Sequence, residues 1–172
     1  GVWSDAVDVA EATLLTISDR IASQLGSFEE RSERAIRTLH PAAQRAAREF
    51  VNAVRAAGAD CRVISGTRSY AEQDALYRRG RFGNTSPRVT NARGGQSNHN
   101  FGIAWDIGLF DGGRYLTDDP PYARVSTLRP AAVDWGGDWK TFRDPPHYQL
   151  RLPLTVGQIR EQFETGTLVV DG

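Results

Sequence analysis

The chain has a single cysteine and no methionine among its 172 residues. One thiol excludes an internal disulfide framework, so a chain of this length must hold together through one hydrophobic core. Cys61 opens the apolar run CRVIS and reads as a core thiol rather than a nucleophile. With no methionine, Gly1 reads as a processed end and not as a native start, and no signal peptide is visible in the stretch that follows. No run approaches the roughly 20 apolar residues that cross a bilayer, so membrane insertion is not expected. Charge of one sign is not in excess either. Lys+Arg and Asp+Glu stand at 21 each, so no global field draws the chain to nucleic acid. Repeats, low-complexity segments and interdomain linkers are also missing. One domain spanning residues 1–172, acting as a monomer, is the expectation.

What is there divides into a helical first part and a mixed second part. Val7, Ala10, Leu14, Ile17 and Ile21 recur at helical spacing, which predicts a helix within residues 1–26, capped by Ser4 or Asp5 and stopped by Gly26. Ser27 with Glu30 is a capping box for a second helix running toward Leu39. Pro41 suits the first turn of a third helix, with Phe50, Val51 and Val54 on its core face and Gly58 just past its end. His40 stands beside that N-cap. From Cys61 the pattern changes. CRVIS reads as a strand ended by Gly66, and Ser69 with Glu72 opens a helix from Tyr70 to about Arg79. Arg81–Ser97 has no period and many Gly, Asn, Ser and Pro, so it reads as a long loop. FGIAWDIGLF and RYL flank DGG as a hairpin. The stretch PPYARVSTLRPAAVDWGGDW is broken by Pro and Gly and leaves room for one short helix. HYQL reads as a strand, and Thr155 with Gln158 caps a last helix. Helices first and strands later predict an α+β fold with a small antiparallel sheet flanked by helices.

The chain has three histidines, and two of them stand near carboxylates. His99 precedes Asp106 by seven positions in SNHNFGIAWDIGLF. Read as a strand, this stretch puts Phe101, Ile103, Trp105 and Ile107 on one face. Gly102, Ala104, Asp106 and Gly108 fall on the other, with Asp106 its one charge. His147 lies in FRDPPHYQL, three residues after Asp144 and one after a Pro-Pro pair. Two His and one Asp make a complete three-ligand zinc set of the catalytic kind, leaving the fourth tetrahedral position open. Hydrolysis then needs a second carboxylate that is not a ligand, to take and return a proton, and Asp144 is the best placed. Neither HExxH nor a paired CxxC is present, so spacing alone leaves the metal reading open.

The motifs carry the argument further. SNHNFGIAWDIG resembles the SxHxxGxAxD signature of zinc peptidases that act on peptidoglycan, the group of D-Ala-D-Ala carboxypeptidases and dipeptidases. SGTRSYAEQDALYRRGR resembles the segment before it in that group. DWGGDWKTFRDPPHYQL is similar to the C-terminal signature of its L-alanyl-D-glutamate endopeptidase branch, which includes many phage endolysins. The likeness spans residues 39–150. It implies the LAS-type fold, shared with Hedgehog signalling domains, and a Zn2+ cofactor held by His99, Asp106 and His147. By the same likeness Asp144 is the general base and acid, and Arg68 steadies the carbonyl and its oxyanion. Ser97 is a neighbour of the ligands, and Gln73 is supportive. The implied reaction is hydrolysis of peptidoglycan stem peptides at the bacterial cell wall, at the L-Ala–D-Glu bond. The alternatives are a D-Ala-D-Ala carboxypeptidase or dipeptidase, or a Hedgehog-like zinc-holding module without catalysis. Asp144 argues against the module, which has no need of a proton shuttle beside its third ligand.

Other residues have plainer readings. Trp135 and Trp139 read as core or cleft wall, with Trp139 a candidate for substrate contact. Asp134 and Asp138 read as turn or cap residues. Asp111, Asp118 and Asp119 lack the ordered spacing of a calcium loop and read as solvated turn residues.

Overall fold

The computed structural model describes residues 29–171. The expected helix within residues 1–26 and the Ser27 half of the second capping box lie outside them. Helix α1 covers residues 29–37. Helix α2 (Pro41–Ala56) begins with Pro at its first position, and His40 is its N-cap, with Nδ1 accepting from the Ala42 N–H at 3.1 Å. Gly58 follows at φ +94, as a left-handed stop requires. Strand β1 is Asp60–Ser65, and α3 (Tyr70–Arg78) carries the full Ser69/Glu72 capping box. No helix or strand occurs between α3 and a 3-10 turn at Asn98–Phe101. Then come β2 (Ala104–Asp111), β3 (Arg114–Tyr115), α4 (Asp119–Ser126), β4 (Val133–Trp135), β5 (His147–Leu150) and α5 (Val156–Thr165). The Thr155/Gln158 box opens α5.

The strands form one antiparallel sheet in the order β1-β2-β5-β4, with β3 hairpinned onto β2. Helix α2 lies against it. Alanines 42, 43, 46 and 47 bring the helix close, and Phe50 fills the gap, its ring 4.5 Å from that of Tyr148 on β5. Behind them Trp105 stacks on Tyr148 with an interplanar angle of 15°. Cys61 sits in this core, and burial pushes its thiol up to about 12, which keeps it protonated and inert.

Two sequence expectations change. The strand holding Asp106 starts at Ala104 and not at Phe101, because residues 98–101 turn and Gly102 adopts φ +74. Ala104 and Gly108 are buried in the middle of the sheet, where β2 runs between β1 and β5. Strand β4 was not foreseen, being three residues long and set between proline and glycine breaks.

Candidate active site

Asp106 and His147 are cross-strand partners on β2 and β5, so their side chains stand side by side on one face of the sheet. His99 reaches the same point from the 3-10 turn. Ser97 Oγ caps that turn by accepting from the His99 N–H at 3.2 Å, and the His99 carbonyl accepts from the Arg68 N–H at 2.9 Å. His99 Nε2, His147 Nδ1 and Asp106 Oδ1 then form a triangle with all three edges at 3.2 Å. Among the described residues these three make the group whose ligand atoms converge as a metal site requires.

The outer nitrogens decide what the inner ones carry. His99 Nδ1 faces the Gly66 carbonyl at 2.9 Å, and a carbonyl can only accept, so the ring proton is there. His147 Nε2 donates to Gln149 Oε1 at 2.8 Å. Each ring, in its neutral form, thus turns an unprotonated nitrogen inward, toward a carboxylate oxygen. Two lone pairs and an anion at this spacing repel one another unless a cation lies between them. Burial works against charge on Asp106, yet the imidazoles hold its carboxyl well below the ordinary aspartate range. Burial likewise works against charge on His147, yet Asp106 pulls its pKa up. Both directions mark the point between them as favourable for positive charge. A tetrahedral zinc with bonds of about 2.0–2.1 Å holds its ligand atoms about 3.3–3.4 Å apart, close to the edges observed. An outer N–H on a carbonyl or amide oxygen is also the usual way a ligating histidine is fixed. The donor set fits a zinc ion.

Asp144 stands on the turn that leads into β5. Its backbone N–H donates to the Gly136 carbonyl at 3.0 Å, and its carbonyl accepts from the His147 N–H at 3.0 Å. The Pro145 carbonyl is held by Trp135 Nε1 at 2.6 Å. Gly136 lies so close beneath that a Cβ there would collide with the Asp144 carbonyl and sit 3.0 Å from His147 Cβ. The DWGG segment therefore works as a seat for the Asp-Pro-Pro-His turn. It holds the carboxylate of Asp144 and the ring of His147 at the same cleft. Burial, and after it the charge of Asp106, pushes the Asp144 carboxyl above its ordinary range against the pull of His147, His99 and Arg68. Among the described residues its carboxylate forms no ion pair.

Arg68 projects from the loop after β1. Its guanidinium donates to Asp106 Oδ2 at 3.2 Å, to Ser65 Oγ at 3.3 Å and to Gln73 Oε1 at 3.3 Å. Gln73 is fully buried and donates in turn to Thr90 Oγ1 and to the Ala92 carbonyl, so it braces Arg68 against the loop. Trp139 lies with its ring 5.0 Å from that of His147 and forms a wall of the cleft, while Trp135 is buried. Asp134 and Asp138 are neither caps nor cleft residues. They pair with Arg151 and Arg129. All eight sequence-selected site residues except Gln73 line one cleft of about 1030 Å³, and Gln73 touches it through Arg68.

Three supports were missed from sequence. Gln149 is two residues past His147 on the same strand, so period two alone put it on the histidine's face. Asn100 is buried, donates to the Arg68 carbonyl and accepts from the Gly95 and Ser97 N–H groups, which locks the 3-10 turn to the arginine loop. The Gly66 carbonyl carries no sequence signal, because any residue supplies one.

Comparison with known proteins gives the chain a family. Residues 36–121, which include Arg68, His99 and Asp106, match the VanY family, described as D-alanyl-D-alanine carboxypeptidase. The peptidoglycan L-alanyl-D-glutamate endopeptidase CwlK of Bacillus subtilis (strain 168) is 36% identical over 126 residues, 65% of this chain and 73% of the relative. The chain belongs to the VanY peptidase family. Its fold is the family's: the L-Ala D-Glu endopeptidase ChiX of Serratia marcescens superposes with a TM-score of 0.55 at 32% identity, over 72% of this chain and 89% of that one. As a VanY-family member the protein is a peptidase, and the cleft built by β2, β5 and the arginine loop is where the candidate site residues gather.

Proposed function

We propose that the protein is a zinc-dependent endopeptidase that cleaves the L-Ala–D-Glu bond of peptidoglycan stem peptides, acting as a monomer at the bacterial cell wall. The observation that carries the reading is the triangle of two inward lone pairs and one carboxylate oxygen, with the Asp144 carboxylate in the same cleft. His99, Asp106 and His147 would hold the ion. Bound there, zinc supplies Lewis acidity, lowering the pKa of water to about 7 and polarising a carbonyl. Asp144 takes the proton from the attacking water and returns it to the departing amine. Arg68, braced by Gln73 and Ser65, donates to the carbonyl oxygen as negative charge develops. Ser97 fixes the His99 turn, and Trp139 walls the cleft beside His147.

The choice of bond is supported by CwlK and ChiX, both L-Ala–D-Glu endopeptidases by name and both above 30% identity. A second reading, D-Ala-D-Ala carboxypeptidase, is favoured by the description of the family that matches. Mass spectrometry of muropeptides digested by the zinc-loaded protein separates the two. New fragments beginning with D-Glu are expected. Release of free D-Ala would favour the second reading, and an unchanged digest would remove both.

A further inference from the structure

Three arginines and two aspartates line the cleft, and an ion in the triangle would make it more positive still. Two of the arginines are committed. Arg68 pairs with Asp106 at 3.2 Å and Arg143 with Asp119 at 2.8 Å. Arg88 is different. It is exposed, its Nε donates to the Gly80 carbonyl at 3.3 Å, and its terminal nitrogens meet no carboxylate among the described residues. Its neighbours in the loop show how unusual that is. Arg81 lies over the Tyr77 ring at 4.0 Å and donates to the Tyr77 and Thr90 carbonyls, and Arg93 covers the same ring at 4.8 Å.

Arg88 is nonetheless built into its place. Gly80 adopts φ +73, and a Cβ there would come within 2.6 Å of Arg88 Cγ and 2.8 Å of its backbone nitrogen. The missing side chain lets the arginine stem lie across the end of α3, and the Gly80 carbonyl then fixes Nε. What remains is the outer edge of the guanidinium, two nitrogens arranged to grip a carboxylate with paired hydrogen bonds.

We propose that Arg88 reads a free carboxylate of the stem peptide. This rests on the endopeptidase reading, whose substrate supplies such a group. Glutamate has two carboxyl groups and only one continues the chain, so a D-Glu inside the peptide leaves the other free beside the scissile bond. A carboxylate further along the stem offers the same chemistry at a greater distance. In either case a cleft rich in arginine selects an anionic peptide, and Arg88 is the cation whose fork is open to it.

The test uses the full-length, zinc-loaded protein and synthetic stem peptides in three forms: free acid, D-Glu carboxylate amidated, and distal carboxylate amidated. Binding is measured alongside kcat/KM, by calorimetry on the zinc-free protein. Wild type should lose about 10- to 100-fold in kcat/KM and in affinity when the recognised carboxylate is amidated, the range of a charge-assisted hydrogen bond. Which amide causes the loss names the carboxylate. Arg88→Gln should lose the same factor on the free acid and be indifferent to that amidation, while Arg88→Lys recovers part of the preference. Gly80→Ala should weaken the preference in the same direction with Arg88 still present. Equal losses on all three peptides, or a discrimination by Arg88→Gln as large as wild type, would overturn the assignment. If wild type cleaves none of the peptides, the proposed bond is wrong, and the binding comparison still decides Arg88.

Discussion

One part of the cleft is made by the sheet and its turns, the other by the arginine loop, and they are built on opposite principles. The ligand triangle hangs from cross-strand neighbours on β2 and β5 and from a capped 3-10 turn, with both histidine side chains at most 6% exposed. Every inward atom there is aimed by an outward bond: Gly66 for His99, Gln149 for His147, Arg68 for Asp106. The loop over residues 81–97 is exposed for most of its length and holds its shape through side-chain bonds to backbone and to Tyr77. Under the proposed function the difference separates two jobs. Atoms that must meet one small ion need a rigid frame. Groups that must admit a long, variable polymer need an accessible edge.

Substitutions should divide along that line. The largest effect is expected from His147→Ala, which removes one of three ligands and should abolish both zinc binding and hydrolysis. If zinc stays bound and turnover persists, the sheet is not what holds the ion. Next comes Asp144→Asn. It should retain one zinc per chain by elemental analysis while kcat falls by about 10²- to 10⁴-fold, the usual worth of a general acid and base. Loss of metal together with activity would move Asp144 from proton transfer to ligation. Gln149→Leu probes the outer bond that aims His147 and should weaken zinc affinity by about 10- to 100-fold, measured by competition with a chelator. An unchanged affinity would mean the strand alone orients the ring. The smallest effect is expected from Phe142, an exposed cleft residue at φ +53 on the segment after Trp139. Phe142→Ala should leave zinc affinity unaltered and raise KM by no more than about tenfold, the scale of one aromatic contact. A drop in zinc affinity there would dissolve the distinction between rigid frame and accessible edge.

Much of the frame was legible because its signals are local. The capping boxes of α3 and α5, the proline start of α2 and the long loop all follow from a few adjacent residues. Residue type and placement single out His99, Asp106, His147 and Asp144 but leave the metal reading open, and the motifs close it and add Arg68. What stayed hidden depends on tertiary contact. Nothing in the sequence says that Trp135 and Gly136 seat the Asp144 turn, because the reason is a 2.6 Å hydrogen bond and the absence of a Cβ. The ion pairs of Asp134 and Asp138 stayed hidden because their arginine partners lie 17 and 9 positions away in the chain.

The central claim is that His99, Asp106 and His147 together hold one ion. Zinc titration of the metal-free protein, followed calorimetrically, tests it most directly. The account predicts one equivalent bound by wild type and no tight binding by His99→Ala, Asp106→Ala or His147→Ala, each still folded by circular dichroism. Undiminished one-to-one binding by any of the three would contradict it.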